Sequence, residues 1–157
     1  MNTKIDLEKV INIDAKLDEK ESKLRIELLN AMIEKRKPLT EKKFCGDNRS
    51  IIDSLIEKET IVTDGEEILF AYPVSNLPTS HHVKLKDGRE FYSMCAIDAM
   101  GSAFVFNQDI NIESVCPVSG EKIQVSICNG ELTEYQPHSL CAIHVDLSKV
   151  ENWAANC

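Results

Sequence analysis

The chain has 157 residues, of which 43% are apolar and 28% charged, and its formal net charge is −8. That length allows one domain or two small ones with a core that needs no disulfide staples. The longest apolar runs fall far short of the ~18–20 residues of a membrane span, and the charged opening MNTKIDLEKVINIDAKLDEKESK reads as no secretory signal, so a soluble cytoplasmic protein is expected.

Residues 15–36, AKLDEKESKLRIELLNAMIEKR, place Leu17, Leu24, Leu28 and Met32 on one stripe, with Ile26, Leu29 and Ile33 widening it. This spacing predicts an amphipathic helix, which Pro38 stops. In LTEKKFCG, Thr40 is the expected N-cap of a short second helix. In DNRSIIDSLIEKE, Asp47 or Asn48 caps a third, whose apolar face is Ile51, Ile52, Leu55 and Ile56. TIVTDGEEILFAY reads as two short strands joined at Asp64-Gly65, a hairpin signal. Three helices and a hairpin in that order predict a winged-helix-like domain over residues 1–75.

AYPVSNLPTSHH, with two prolines and small polar residues, is the expected linker. Beyond it, HHVKLKDGREFYS predicts a strand pair turning at Asp87-Gly88. A helix is expected over 94–104. INIESV (110–115) and EKIQVSIC (121–128) predict strands around the turn CPVSG, Asn129-Gly130 marks another turn, and SLCAIHV (139–145) reads as a further strand. The predicted fold class is α+β: the winged-helix-like helical domain, then a β-rich domain with a central helix over residues 80–157.

Residues 1–90 hold 16 Lys and Arg against 18 Asp and Glu, and residues 91–157 hold 2 against 8. Neither half offers the clustered cations that neutralise phosphates. Within the expected recognition helix, 48–58, Arg49 and Lys58 are matched by Asp53, Glu57 and Glu59, a face that repels phosphate about as much as it attracts it. No nucleic-acid partner is expected.

The six cysteines are Cys45, Cys95, Cys116, Cys128, Cys141 and Cys157. Their expected compartment disfavours disulfides, and no CxxC pair marks a zinc ribbon. His81 and His82 fall in or beside the linker, His138 in a loop and His144 in a strand; no two have the helical spacing of a zinc site. Most of these thiols read as small buried hydrophobes. Cys95 and Asp98 differ. Within FYSMCAIDAMGSAF they stand three apart, which on a helix puts them on one face. A carboxylate does not activate a thiol as a base in a protease does. It can take the thiol proton when a soft metal binds sulfur and return it elsewhere, because thiolate is the natural ligand of soft metals.

FYSMCAIDAMG resembles the aromatic–Cys–Ala–x–Asp segment of the organomercurial (alkylmercury) lyases. ESVCPVSGEKIQVSI, with Cys116, Pro117 and Gly120, resembles the cysteine–turn–glycine–strand segment that follows it there. The resemblance covers roughly residues 20–128 in order, includes the winged-helix-like pattern, and reads as a shortened member. It implies that Cys95 and Asp98 work with a second, distant cysteine. By order and spacing that is Cys157, and Cys116 takes the place of a structural cysteine. It implies the following chemistry: the Cys95 thiol captures mercury, Asp98 receives its proton, a second thiolate weakens the carbon–mercury bond, and Asp98 protonates the departing carbon. Cys95 and Cys157 would then hold Hg(II) until cytosolic thiols or a mercuric reductase remove it. No organic cofactor is implied, because the metal enters as part of the substrate. Phe91, Tyr92, Met94, Ile97, Phe104 and Phe106 are the expected apolar surround.

Two other classes fit the same residues: a non-catalytic thiolate carrier for mercury or copper, which needs Cys95 but not Asp98, and a metal-responsive winged-helix regulator. The regulator alone requires DNA binding. In a gel-shift titration at low salt, the mixed charge of residues 48–58 predicts no salt-sensitive duplex binding at micromolar concentration.

Overall fold

The structure, a computed structural model, describes residues 13–37, 39–40 and 46–143. It is a mixed fold of helices and antiparallel sheet. After a short 3-10 turn at Ile13–Lys16 come α1 (Glu19–Lys35), β1 (Leu39–Thr40), a second 3-10 turn (Gly46–Asn48) and α2 (Arg49–Glu57). β2 (Ile61–Asp64), β3 (Glu67–Ala71), β4 (Val74–Ser75), β5 (His81–Leu85) and β6 (Glu90–Ser93) follow. α3 (Ala96–Val105) precedes β7 (Ile110–Val115), β8 (Lys122–Cys128) and β9 (Glu131–Gln136).

The described strands form one sheet in the order β1-β3-β4-β6-β5-β7-β8-β9, with β2 pairing β3. Every pairing is antiparallel. The turns have the chemistry their geometry demands. Gly65 and Gly88 carry positive φ, and Asn129-Gly130 has φ of 52 and 75, the left-handed pair of a tight hairpin.

α1 starts at a reciprocal cap. The Glu21 N–H donates to Asp18 Oδ1 at 2.9 Å, and the Asp18 N–H donates to Glu21 Oε2 at 2.7 Å. The same Glu21 carboxylate, 5% exposed, accepts from Ser54 Oγ at 2.6 Å and Lys58 Nζ at 2.6–2.7 Å. One side chain therefore caps its own helix and ties it to α2. Leu24, Leu28, Leu29, Met32 and Ile33 bury the inner stripe of α1 against Ile52 and Leu55 of α2.

From β5 to β8 the strands alternate clearly. Val83, Leu85, Phe91, Ile110, Ile112, Val125 and Ile127 are buried on one face, while Lys84, Tyr92, Asn111, Glu113 and Gln124 are exposed on the other. α3 covers the apolar face with its small residues Ala99 and Ala103, which lets the helix approach closely.

Several expectations change. Ile26 is 37% exposed and lies off the buried stripe. Thr40 pairs with Glu67 in β1 rather than capping a helix; the remainder of that expected helix, with Pro38 and Cys45, lies outside the described residues. The stretch read as a linker carries β4, which pairs both β3 and β6, and its two histidines begin β5. β9 was not expected, and residues 139–143 are not strand.

The Lys58 ammonium and the Ser54 and Asp18 hydrogen bonds hold Glu21 at about 2 against an ordinary 4.5. A depressed carboxyl stabilises the fold above its unfolded value and loses that contribution as pH falls through the folded one. Glu21→Gln is therefore expected to lower Tm at neutral pH, with the difference from wild type closing between 4.5 and about 2 in a calorimetric pH series.

Candidate active site

α3 begins where β6 ends. Cys95 is its N-cap, with extended φ and ψ of −138 and 175, and Asp98 is the third helical residue. This refines the expected same-face pair on a helix: the thiol stands at the mouth of the helix, and the acid reaches back toward it. The Asp98 carboxyl accepts from the Cys95 backbone N–H and is hydrogen-bonded to its sulfur. That is the acid half of a capping box, with a thiol where a hydroxyl usually stands. The positive end of the helix faces both groups.

Asp98 is 2% exposed, and its Oδ2 has no hydrogen-bond partner. Burial pushes its carboxyl from 3.8 up to about 9. The negative charge of the Cys95 thiolate and the bond to its sulfur add to the rise, and the Cys95 N–H opposes it. At neutral pH the carboxyl is therefore protonated.

The surroundings follow from strand register. Ser93 of β6 and Ser114 of β7 both pair with His81 of β5, so the three side chains form a row on the face that α3 covers. His81 Nδ1 lies 2.8 Å from Ser114 Oγ, and burial lowers its imidazole below the usual 6.5. Ser93 is fully buried with an unpartnered hydroxyl.

An apolar cluster adjoins the thiol. Phe70, Tyr72 and Ile97 form its buried part, and Val62, Met94, Cys95, Met100 and Val105 pack against it half-buried. The Tyr72 carbonyl accepts from Nη2 of the fully buried Arg25 at 2.8 Å, with the guanidinium 5.7 Å from the Tyr72 ring. Of the expected apolar surround, only Met94 and Ile97 belong here. Phe91 and Phe106 meet in the main core with tilted rings at 5.5 Å, and Phe104 also packs there. Tyr92 points to the opposite sheet face, beside His82. Phe70 and Tyr72 went unforeseen, because nothing in the sequence ties residues so far upstream to Cys95.

β6, β7 and β9 run in the same direction, since each is antiparallel to a shared neighbour. Cys95 and Cys116 stand at the same end of the sheet, just past β6 and β7, and Cys141 comes after β9 in irregular chain. Two strand spacings, about 10 Å, separate β6 from β7. Cys116 heads a turn closed by Gly120 N–H to Cys116 O at 2.9 Å. The Ser119 hydroxyl and the Ser119 and Val118 N–H groups lower its thiol below 9.0. Cys141 is exposed, next to Leu140, which packs on the core. Cys128 ends β8 at the far side. Cys157 and His144 lie outside the described residues. Among the described residues, no cluster of three or more His, Cys, Asp or Glu is arranged to hold a metal, and no helix is long and apolar enough to cross a membrane.

Residues 74–157 match the family described as MerB, alkylmercury lyase. Alkylmercury lyases of Bacillus cereus and Clostridium butyricum are each 31% identical over 61 residues, which is 39% of this chain. The matched stretch spans 28% of the length of these curated relatives. The crystal structure of the mercury-bound form of MerB2 aligns with a TM-score of 0.61 at 25% identity, covering 87% of this chain and 69% of that one.

Below 3.8 the Asp98 carboxyl is protonated in both folded and unfolded chains; between 3.8 and about 9 only the unfolded chain ionises, and the fold loses stability as pH rises. Asp98→Asn removes that loss. Its Tm is expected to exceed that of the wild type at about pH 8 and to converge on it at about pH 3, read by circular dichroism.

Proposed function

The chain belongs to the alkylmercury lyase family, and on that footing we propose that it cleaves the carbon–mercury bond of organomercurials by protonolysis, giving a hydrocarbon and Hg(II). One observation carries the proposal: a buried carboxyl, held protonated at neutral pH, is bonded to a thiol at the same helix start. A proton donor and a soft nucleophile are what this bond requires of a protein.

The Cys95 thiolate attacks the mercury of R–Hg–X, and X leaves as its anion. A second thiol adds its sulfur and releases its proton to solvent. The added electron density makes the bound carbon more basic. Asp98 then gives its proton to that carbon, R–H departs, and the carboxylate remains. Two incoming thiols exchange for the two protein sulfurs, carry Hg(II) away and restore the protons. The donor is available below about 9, so activity is expected to fall as pH rises through that value.

Cys157 is the second thiolate by its order in the chain. The common end of β6, β7 and β9 supports a second reading, in which Cys141 supplies it, being exposed and following a strand that runs toward the site. The N-terminal part, residues 1–75, serves in this proposal as a winged-helix-like support for the lyase-like part, residues 80–157. Its helix α2 carries Arg49 already paired with Asp53 at 3.1 Å, which weakens any role on DNA. Organomercurials are the substrates, cytosolic thiols or a mercuric reductase the acceptors, and mercury detoxification in the cytoplasm the setting.

Headspace gas chromatography with phenylmercury and excess thiol tests the proposal. Asp98→Asn is expected to bind mercury as wild type does while losing ~10²–10⁴-fold in benzene release, and Cys95→Ser to lose both. Release by Cys157→Ser together with failure of Cys141→Ser assigns the second thiolate to Cys141; the reverse assigns it to Cys157. A wild type that binds mercury and releases no hydrocarbon is a carrier, and the lyase reading is then wrong.

A further inference from the structure

An N-cap residue is not held by the helical torsions that follow it. Cys95 stands there with extended φ and ψ of −138 and 175, so the chain leading into it decides where its sulfur points. From the helix side the residue is well fixed. Its N–H donates to the Asp98 carboxyl, and its carbonyl accepts from the Ala99 N–H at 3.0 Å. From the sheet side it hangs on the end of β6, with only Met94 between it and Ser93.

That strand end is clasped by a side chain. Toward β4 the pairing of β6 is confined to Tyr92, opposite Ser75; toward β5 it stops at Ser93, opposite His81. The Thr79 hydroxyl crosses this last pair. It donates to the Ser93 carbonyl and accepts from the His81 N–H at 3.1 Å. The His81 carbonyl, at 3.3 Å, is the farther acceptor. Strand ends open more readily than strand centres, and this end carries the thiol. Without the clasp the Met94–Cys95 arc is free to swing, and the Cys95 N–H can leave Asp98. We propose that Thr79 is a positioning residue for the reaction: its hydroxyl fixes the end of β6 and so holds Cys95 in the N-cap geometry that joins its N–H and its sulfur to Asp98. The inference rests on the lyase reading for its chemistry, though not for the hold itself.

Thr79→Val removes the hydroxyl and keeps the branched shape, whereas Thr79→Ser keeps the hydroxyl. Both are compared with wild type in the full chain. Amide hydrogen exchange, followed by NMR, is expected to quicken ~10-fold at Cys95 in Thr79→Val and to stay as in wild type along the β7–β8 ladder, because the opening is local. With phenylmercury and excess thiol, kcat for benzene release is expected to fall ~10–10²-fold while KM stays within about threefold, the pattern of a displaced reacting group rather than of lost binding. Thr79→Ser is expected to behave as wild type in both. Unchanged exchange at Cys95 overturns the assignment. So does faster exchange throughout the sheet, faster exchange with an undiminished kcat, or a serine variant that behaves like the valine one. If Thr79→Val does not fold, Thr79→Ala is read in its place; if neither folds while Thr79→Ser does, the hydroxyl serves the fold at large and the assignment falls. Faster exchange confined to Cys95, with no benzene from the wild type, leaves the hold on Cys95 standing and removes only the lyase reading.

Discussion

A carboxyl kept out of water is the constraint on which the rest of this structure depends. Ionised, Asp98 would demand a cation or several donors, and it has one N–H and a sulfur. The protein resolves this by leaving the group neutral. Around this helix start lie the small residues of α3 that let the helix sit close to the sheet, the polar row of Ser93, His81 and Ser114 at the strand ends, and the apolar cluster of Phe70, Tyr72 and Ile97 beside the thiol. A neutral acid is the stable form here because burial penalises its charged form.

The two halves of the chain meet at this point. Tyr72, from the segment between β3 and β4, lends its ring to the cluster and its carbonyl to Arg25 of α1. A fully buried guanidinium is costly unless its donors are met. It fixes where α1 lies relative to the wall of the site. Glu21 does the comparable work between α1 and α2. Together the two charged residues orient the N-terminal helices on the sheet without relying on apolar shape alone.

Much of this was legible from residue order. The strand at 110–115, the hairpins at Asp64-Gly65 and Asp87-Gly88, and the helix after Met94 all follow from alternation and turn chemistry, because one face of each is buried and the other is wet. β9 was not legible for the same reason in reverse: all six of its residues are exposed, so no alternation marks it. The Cys95–Asp98 pair could be found by spacing. Its N-cap geometry and the burial of the acid could not, since both depend on where β6 stops and on what α3 covers. The aromatic residues nearest Cys95 in sequence mostly face elsewhere. Phe91 points into the main core and Tyr92 away from it, the alternation of a strand, while the rings that do line the thiol come from twenty or more residues upstream.

The hairpin turns divide between the two ends of the sheet. Those at Asp87-Gly88 and Asn129-Gly130 lie opposite the chemistry, where Asp109 takes the Lys86 ammonium at 2.8 Å and the Asn129 N–H at 2.9 Å. The turn from Cys116 to Gly120 lies at the chemical end. Exposed hairpin tips are where chains gain and lose residues most readily. In this fold such drift is partitioned by direction. Relatives can diverge in length at the far tips while the thiol and its acid stay in register, whereas residues added between β7 and β8 lengthen the turn at the same end of the sheet as Cys95.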